Sequence, residues 1–156
     1  MRFLPILAVV GLGLVSTYAL ANSVADTMVC TPYKSALTGK VIEFPKGKQS
    51  LFGINNTSPN TVQLRSINKS GSAQAGWDSQ LQSNHWSVIA LSTKGVTFTC
   101  LQGKKPVSCA NVVSICQFSR AEFLTQASAG SYWAAENVTG DNLISSVAKR
   151  GIDVDG

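Results

Sequence analysis

Charge is scarce in this chain. Asp and Glu number 8 against 13 Lys and Arg, and there is a single histidine, His85. That balance excludes the Lys/Glu-rich surface of a helical cytosolic protein and leaves few groups for acid–base chemistry. No Gly-rich phosphate loop, no H-E-x-x-H and no dinucleotide fingerprint is present, so no cofactor is expected. The four cysteines contain no C-x-x-C, and one His cannot complete two short-spaced ligand pairs. Neither a zinc site nor a thioredoxin-type redox centre is therefore expected. The carboxylates Asp26, Glu43, Asp78, Glu122, Glu136, Asp141, Asp153 and Asp155 show no pairing of the glycosidase kind. Asp153 and Asp155 also lack the rest of a calcium loop. A serine hydrolase needs a His base beside a nucleophile. His85 and Ser87 share a strand face, but no G-x-S-x-G surrounds any serine, so no catalytic residue is assigned.

Long apolar runs are equally rare. One spans residues 3–15, with Arg2 before it and Ala19-Leu20-Ala21 after it. A basic start, an apolar stretch and an A-x-A site, in that order, mark a cleavable signal peptide over residues 1–21. Residues 22–156 are then one exported domain, periplasmic or secreted, beginning at Asn22. The run is short of the roughly 20 residues a membrane span needs. No later segment is apolar enough, so no transmembrane span is expected after cleavage. The mature length suits a single domain with its own core. Loss of Arg2 lowers the net charge by one from the +5 of the whole chain. The cations are dispersed: Lys40, Lys46 and Lys48 form a loose cluster, Lys104 and Lys105 sit in a turn, and Lys149 and Arg150 end a helix. Nucleic-acid binders concentrate charge and interleave aromatics, so no nucleic-acid partner is expected. Attraction to anionic glycans or lipid head groups stays open.

Cys30, Cys100, Cys109 and Cys116 in an exported chain argue for disulfides, with three possible pairings. Residues 96–101 alternate like a strand, and 111–118 form a second apolar run. Residues 102–107, with Gly103 and Pro106, read as the hairpin loop between them. A turn centred between Lys104 and Lys105 sets Cys100 opposite Cys109, close enough to bridge. This favours Cys100–Cys109 with Cys30–Cys116. The rival is Cys100–Cys116 with Cys30–Cys109.

Residues 22–35 read as an extended leader containing Pro32. Short strands are expected at 41–44, 50–54, 61–65, 85–91 and 131–135. Residues 55–60 are dense in turn formers, and 68–76 form a Ser/Gly-rich flexible loop. Residues 92–95 can turn 85–91 into 96–101, so 85–118 reads as a three-stranded antiparallel meander. A short helix is expected at 122–126 and another at 141–150. On the latter, Leu143, Ile144 and Val147 share one side and Gly151 is the stop. The expected fold is mostly β: a small antiparallel β-sandwich or barrel with a short C-terminal helix, stapled by disulfides.

The candidate binding surface is Trp77, in the Gly/Ser-rich loop, together with Trp86 and His85, because exposed aromatics supply large contact area. Against that, Trp in a small β domain is more often core, which applies to Trp86 and Trp133 more than to Trp77. Asn55, Asn56, Asn68 and Asn137 each begin an N-x-S/T triplet. Gly76-Trp77, Ser79, Leu81, His85-Trp86-Ser87, Cys100, Cys109 and Cys116 form a pattern, continued by Tyr132-Trp133 and Ala148 to Ile152. Over residues 76–152 the chain resembles the EnhB group of small exported proteins of Legionella and Coxiella. That resemblance implies an envelope or secreted protein associated with host-cell invasion, and it brings no enzymatic residues with it. The expected function is a non-enzymatic exported binding protein with a protein or glycan partner at the cell envelope or host surface. The alternatives are a secreted hydrolase using His85 and a Ser, or a carbohydrate-binding module using exposed Trp.

Overall fold

The structure, a computed structural model, describes residues 30–68, 70–73, 78–124 and 130–154. The expected signal peptide at 1–21, residues 22–29 of the expected leader and Trp77 lie outside the described residues, as do residues 69 and 74–76 of the loop expected at 68–76 and residues 125–126 of the helix expected at 122–126. Two antiparallel sheets face each other. The first runs in the order β1 (Cys30–Pro32), β10 (Val113–Phe118), β4 (Ser50–Asn56), β7 (Trp86–Leu91) and β12 (Tyr132–Val138). The second runs β2 (Leu37–Thr38), β3 (Val41–Phe44), β8 (Val96–Gln102), β5 (Val62–Ile67) and β6 (Ser79–Leu81). β9 (Lys105–Val107) pairs with the last part of β8, beyond the stretch that β3 occupies.

Side chains pointing inward from the two sheets make one core. Ile42, Phe44, Phe52, Ile54, Val62, Leu64, Ile89, Phe98 and Ile115 meet there. An aromatic string crosses it, from Tyr33 to Phe52 (4.9 Å), Phe44 (4.7 Å), Phe98 (6.4 Å) and Trp133 (5.4 Å). The outer face of the first sheet carries a second core. Leu51, Trp86, Val88, Ala90, Cys116 and Phe118 pack there under Leu143 and Val147 of α2 (Leu143–Ala148) and under Ile152 and Val154. β7 is thus buried on both faces along its whole length. Such a strand reads as a continuous apolar run rather than an alternation, which is how residues 85–91 look in the sequence. Each fully buried aliphatic or aromatic side chain contributes roughly 1.5–3 kcal/mol, and both sheets supply them: Ile42, Phe44 and Phe98 from the second, Leu51, Ile54 and Ile89 from the first.

Both disulfides are the favoured ones, Cys30–Cys116 and Cys100–Cys109. Each core holds one of them. The local geometry at Cys109 differs from the expectation. The ladder sets Gln102 opposite Lys105 and Cys100 opposite Val107, so the turn is centred at Gly103–Lys104. Gly103 takes φ +62° there, which glycine adopts without steric cost. Cys109 instead opens α1 (Cys109–Val112). That turn of helix folds the sulfur back under β8, and the bridge closes from helix to strand rather than across a ladder.

Four other expectations are corrected. Residues 85–118 are not a meander: β7 and β10 lie in the first sheet and β8 in the second. Residues 92–95 carry the chain from one sheet to the other instead of closing a hairpin. Glu122–Phe123 is not helical; it forms β11, antiparallel to β13 (Ile152–Asp153). Asn55 and Asn56 belong to β4 rather than to the turn that follows. The C-terminal helix is shorter than expected, Leu143–Ala148 after a 3-10 turn at Gly140–Asn142, and Gly151 stops it with φ +73°.

The two sides of the sandwich are closed differently. On one side the chain steps from β1 to β2 through a 3-10 turn at Lys34–Ala36. The Tyr33 N–H donates to the Ile115 carbonyl at 2.8 Å and ties that step to β10. On the other side β6 meets β12. A bulge before Val138 puts Asn137 at φ +49°, a conformation Asn tolerates better than most residues. Its N–H donates to Ser87 Oγ at 3.0 Å, and its Oδ1 accepts the Gln82 N–H at 2.8 Å.

Candidate functional site

The loops gather at the two ends of the sandwich. One end holds residues 57–61, 82–85 and 103–104. It is built on Asn56, which is fully buried. Asn56 Nδ2 donates to the carbonyls of Asn60 (2.8 Å) and Leu81 (2.9 Å). Its Oδ1 accepts the Ser58 N–H (2.9 Å) and hydroxyl (2.7 Å). Gln102 Nε2 donates to Ser58 Oγ at 3.1 Å, and Ser83 Oγ donates to the Ser58 carbonyl at 2.7 Å. Asn56 thereby ties the 57–61 loop to the end of β6, and Ser58 links that loop to Gln102 and Ser83.

His85 sits at this end, partly exposed, one residue ahead of β7. Its Nδ1 lies 2.9 Å from the Ser83 carbonyl, and its own carbonyl accepts the Asn56 N–H at 3.0 Å. Ser87 is fully buried and points between the sheets. Its hydroxyl is 2.8 Å from the Ser79 hydroxyl and accepts the Asn137 N–H. The structure therefore spends the Ser87 hydroxyl on joining β6, β7 and β12 and does not place it on the imidazole of His85. Trp86, expected on the binding surface, is buried instead, and its ring packs with Cys116 over Gly53. It faces the outer core because it alternates with Ser87 on a strand covered on both sides. Of the expected binding surface, His85 alone is partly exposed among the described residues. Those residues contain no group of three or more His, Cys, Asp or Glu placed to hold a metal. No helix among them is long and apolar enough to cross a membrane.

The opposite end holds an open groove of ≈ 630 Å³. Its floor is the end of the second sheet's outer face. Thr97 of β8 lies between Glu43 of β3 and Ile67 of β5, directly opposite each in the ladders. Pro45 and Lys46 form one wall, and Asn68 and Ser70 another. Asn68 Oδ1 accepts the N–H groups of Ser70 and Ser72, each at 3.0 Å, which shapes that wall. Gly95 brings β8 against the first wall. A Cβ there would lie 2.5 Å from the Phe44 carbonyl oxygen and 3.2 Å from the Lys46 nitrogen. Gly95→Ala must push the 44–46 segment outward. The expected cost is about 1–3 kcal/mol, read as a lower urea midpoint at unchanged slope.

The cations sort by end. Lys46 lines the groove, Lys48 is two residues on, and Lys94 precedes Gly95. Gly47 N–H donates to the Thr93 carbonyl at 3.3 Å, so the two lysine-bearing loops touch. All three lysines are exposed, and the ion pair among the described residues is elsewhere, Arg65 with Asp78 at 3.7 Å. Lys40, grouped with Lys46 and Lys48 by sequence, lies beyond the other end of β3, where its carbonyl accepts the Cys109 N–H. Tyr132 opens β12. Burial pushes its hydroxyl above the ordinary 10.0, while the nearby Arg150 guanidinium pulls it back.

No family model, curated protein or solved structure matches this chain. The site therefore rests on its own geometry. Sequence reasoning missed the groove because its walls come from three separate loops. The one signal available was the Lys46–Lys48 pair beside Pro45.

Proposed function

We propose that this chain is an exported binding domain that holds a partner at the cell envelope or at a host surface, in the manner implied by its resemblance to the EnhB group. On this reading residues 1–21 direct export, and the domain acts as a non-enzymatic module in the periplasm or outside the cell. The observation that supports it is the grooved end of the sandwich. Three exposed lysines that form no ion pair among the described residues stand on two adjoining loops, on a scaffold with a disulfide in each core. Rigid presentation of loops lowers the ordering cost of binding, and disulfides persist in oxidising compartments. The fluorescently labelled chain from Asn22 onward is expected to bind saturably to bacterial envelopes or animal-cell surfaces and to be displaced by unlabelled protein. The absence of saturable binding to either would overturn the reading. So would catalytic turnover that disappears in His85→Ala.

A further inference from the structure

Resting on that reading, we infer that the groove between the 45–48 and 93–97 segments and the wall of Asn68 and Ser70 binds an acidic glycan, a chain whose sugars carry sulfate or carboxylate groups. Such a chain alternates three chemistries: anionic substituents, hydroxyls and weakly apolar C–H faces. The groove offers a counterpart to each. Lys46 lines the wall, and the exposed Lys48 and Lys94 stand on the same two loops, which the Gly47–Thr93 hydrogen bond holds together. The Glu43 carboxylate and the Ser70 hydroxyl, whose proton goes to Asn68 Oδ1, accept from sugar hydroxyls, and the Thr97 hydroxyl can donate or accept. Ile67, Pro45 and Val96 supply the apolar patches between them.

Two other polyanions fit less well. A lipid surface calls for apolar side chains projecting beside the cations. The exposed large hydrophobic residue among those described is Leu124, in a different segment from the groove. A single-stranded nucleic acid calls for aromatic platforms on which bases stack. The aromatic residue at the groove, Phe44, is buried in the inter-sheet core. Glu43 inside the groove also repels a uniformly charged phosphate backbone, while a glycan can set a hydroxyl against it.

The test uses the oxidised mature chain and a heparin oligosaccharide as probe, followed by titration calorimetry at near-physiological salt. Neutral dextran, anionic phospholipid vesicles and single-stranded DNA are the other arms. Saturable heparin binding that weakens as salt rises is expected, with no binding to dextran and weaker binding to vesicles and DNA. The triple variant Lys46→Glu, Lys48→Glu, Lys94→Glu is expected to weaken heparin binding by roughly tenfold or more. The triple variant Lys40→Glu, Lys104→Glu, Lys105→Glu carries the same net charge at the other end and is expected to bind as the parent does. Equal loss in both variants overturns the proposal, because net charge alone then explains binding. DNA or vesicles bound more tightly than heparin overturn it in favour of a different polyanion. If heparin does not bind while cell surfaces still do, the glycan proposal fails and the binding-domain reading stands. If neither binds, both fail.

Discussion

Removing the Cys30–Cys116 bridge by Cys30→Ala and Cys116→Ala lowers the midpoint of thermal unfolding by roughly 10–20 °C. The two cysteines are 86 residues apart. Closing a loop of that length removes about 4–5 kcal/mol of chain entropy from the unfolded state. The folded state adds a local reason. β1 is a three-residue edge strand, paired only with β10, and it carries Pro32, which donates no ladder hydrogen bond. The covalent bridge between β1 and β10 is what keeps so short an edge in place. By contrast, Cys100 and Cys109 are 9 residues apart, and the entropic part of their bridge is about 2.5 kcal/mol. Calorimetry on the two double variants checks both the size and the order. A loss under about 1 kcal/mol for the first pair would mean that β1 is held by packing alone.

Asn56→Ala is expected to cost about 2–4 kcal/mol. The side chain makes four hydrogen bonds with no exposed surface. Its loss removes the partner of the buried Ser58 N–H and a donor to the Leu81 carbonyl where water has little access, while the Ser58 hydroxyl and the Asn60 carbonyl keep each other at 2.9 Å. Unpaired buried groups cost more than the bond they lose. Asn68 is the control. It accepts a similar fan of bonds from Ser70 and Ser72, but on the surface, where water replaces the missing partner. Asn68→Ala should therefore cost less than about 1 kcal/mol. Chemical denaturation of both variants measures the contrast. Equal losses would show that the 57–61 loop does not depend on the buried amide. The same burial places the N-x-S/T triplet at Asn56 inside the fold, where the amide is a structural acceptor and donor.

Much of the fold is written locally. The strands at 41–44, 50–56, 62–67, 86–91 and 132–138 fall where β-branched and aromatic residues cluster between turn formers. Gly151 marks the helix end because only a residue at ease with positive φ fits there. The spacing of Cys100 and Cys109 around Gly103 selects the right pairing even though the turn is offset and Cys109 lies in a helix. What local pattern does not encode is which strands become neighbours. Residues 92–95 have the composition of a hairpin turn, yet β7 is flanked by β4 and β12, and β8 by β3 and β5. Those partners lie far along the chain, and their burial outweighs any preference of the turn.

The candidate site divides in the same way. Lys46 and Lys48 are adjacent in sequence and remain together, whereas Lys40 is separated from them by the length of β3. Trp86 stayed a candidate for the surface as well as the core because nothing near it reports that α2 and the C-terminal segment cover that face of the first sheet. Glu122–Phe123 is a strand only because Ile152–Asp153 pairs with it. By itself the sequence determined the β class and the positions of the longer strands and favoured the disulfide pairing, because the first two follow from side-chain chemistry over a few residues and the third from the closeness of Cys100 and Cys109 along the chain. Only the tertiary structure decided the two-sheet partition, the burial of Trp86 and the assembly of the groove, because each depends on contacts between segments that the chain brings together only when the two cores close.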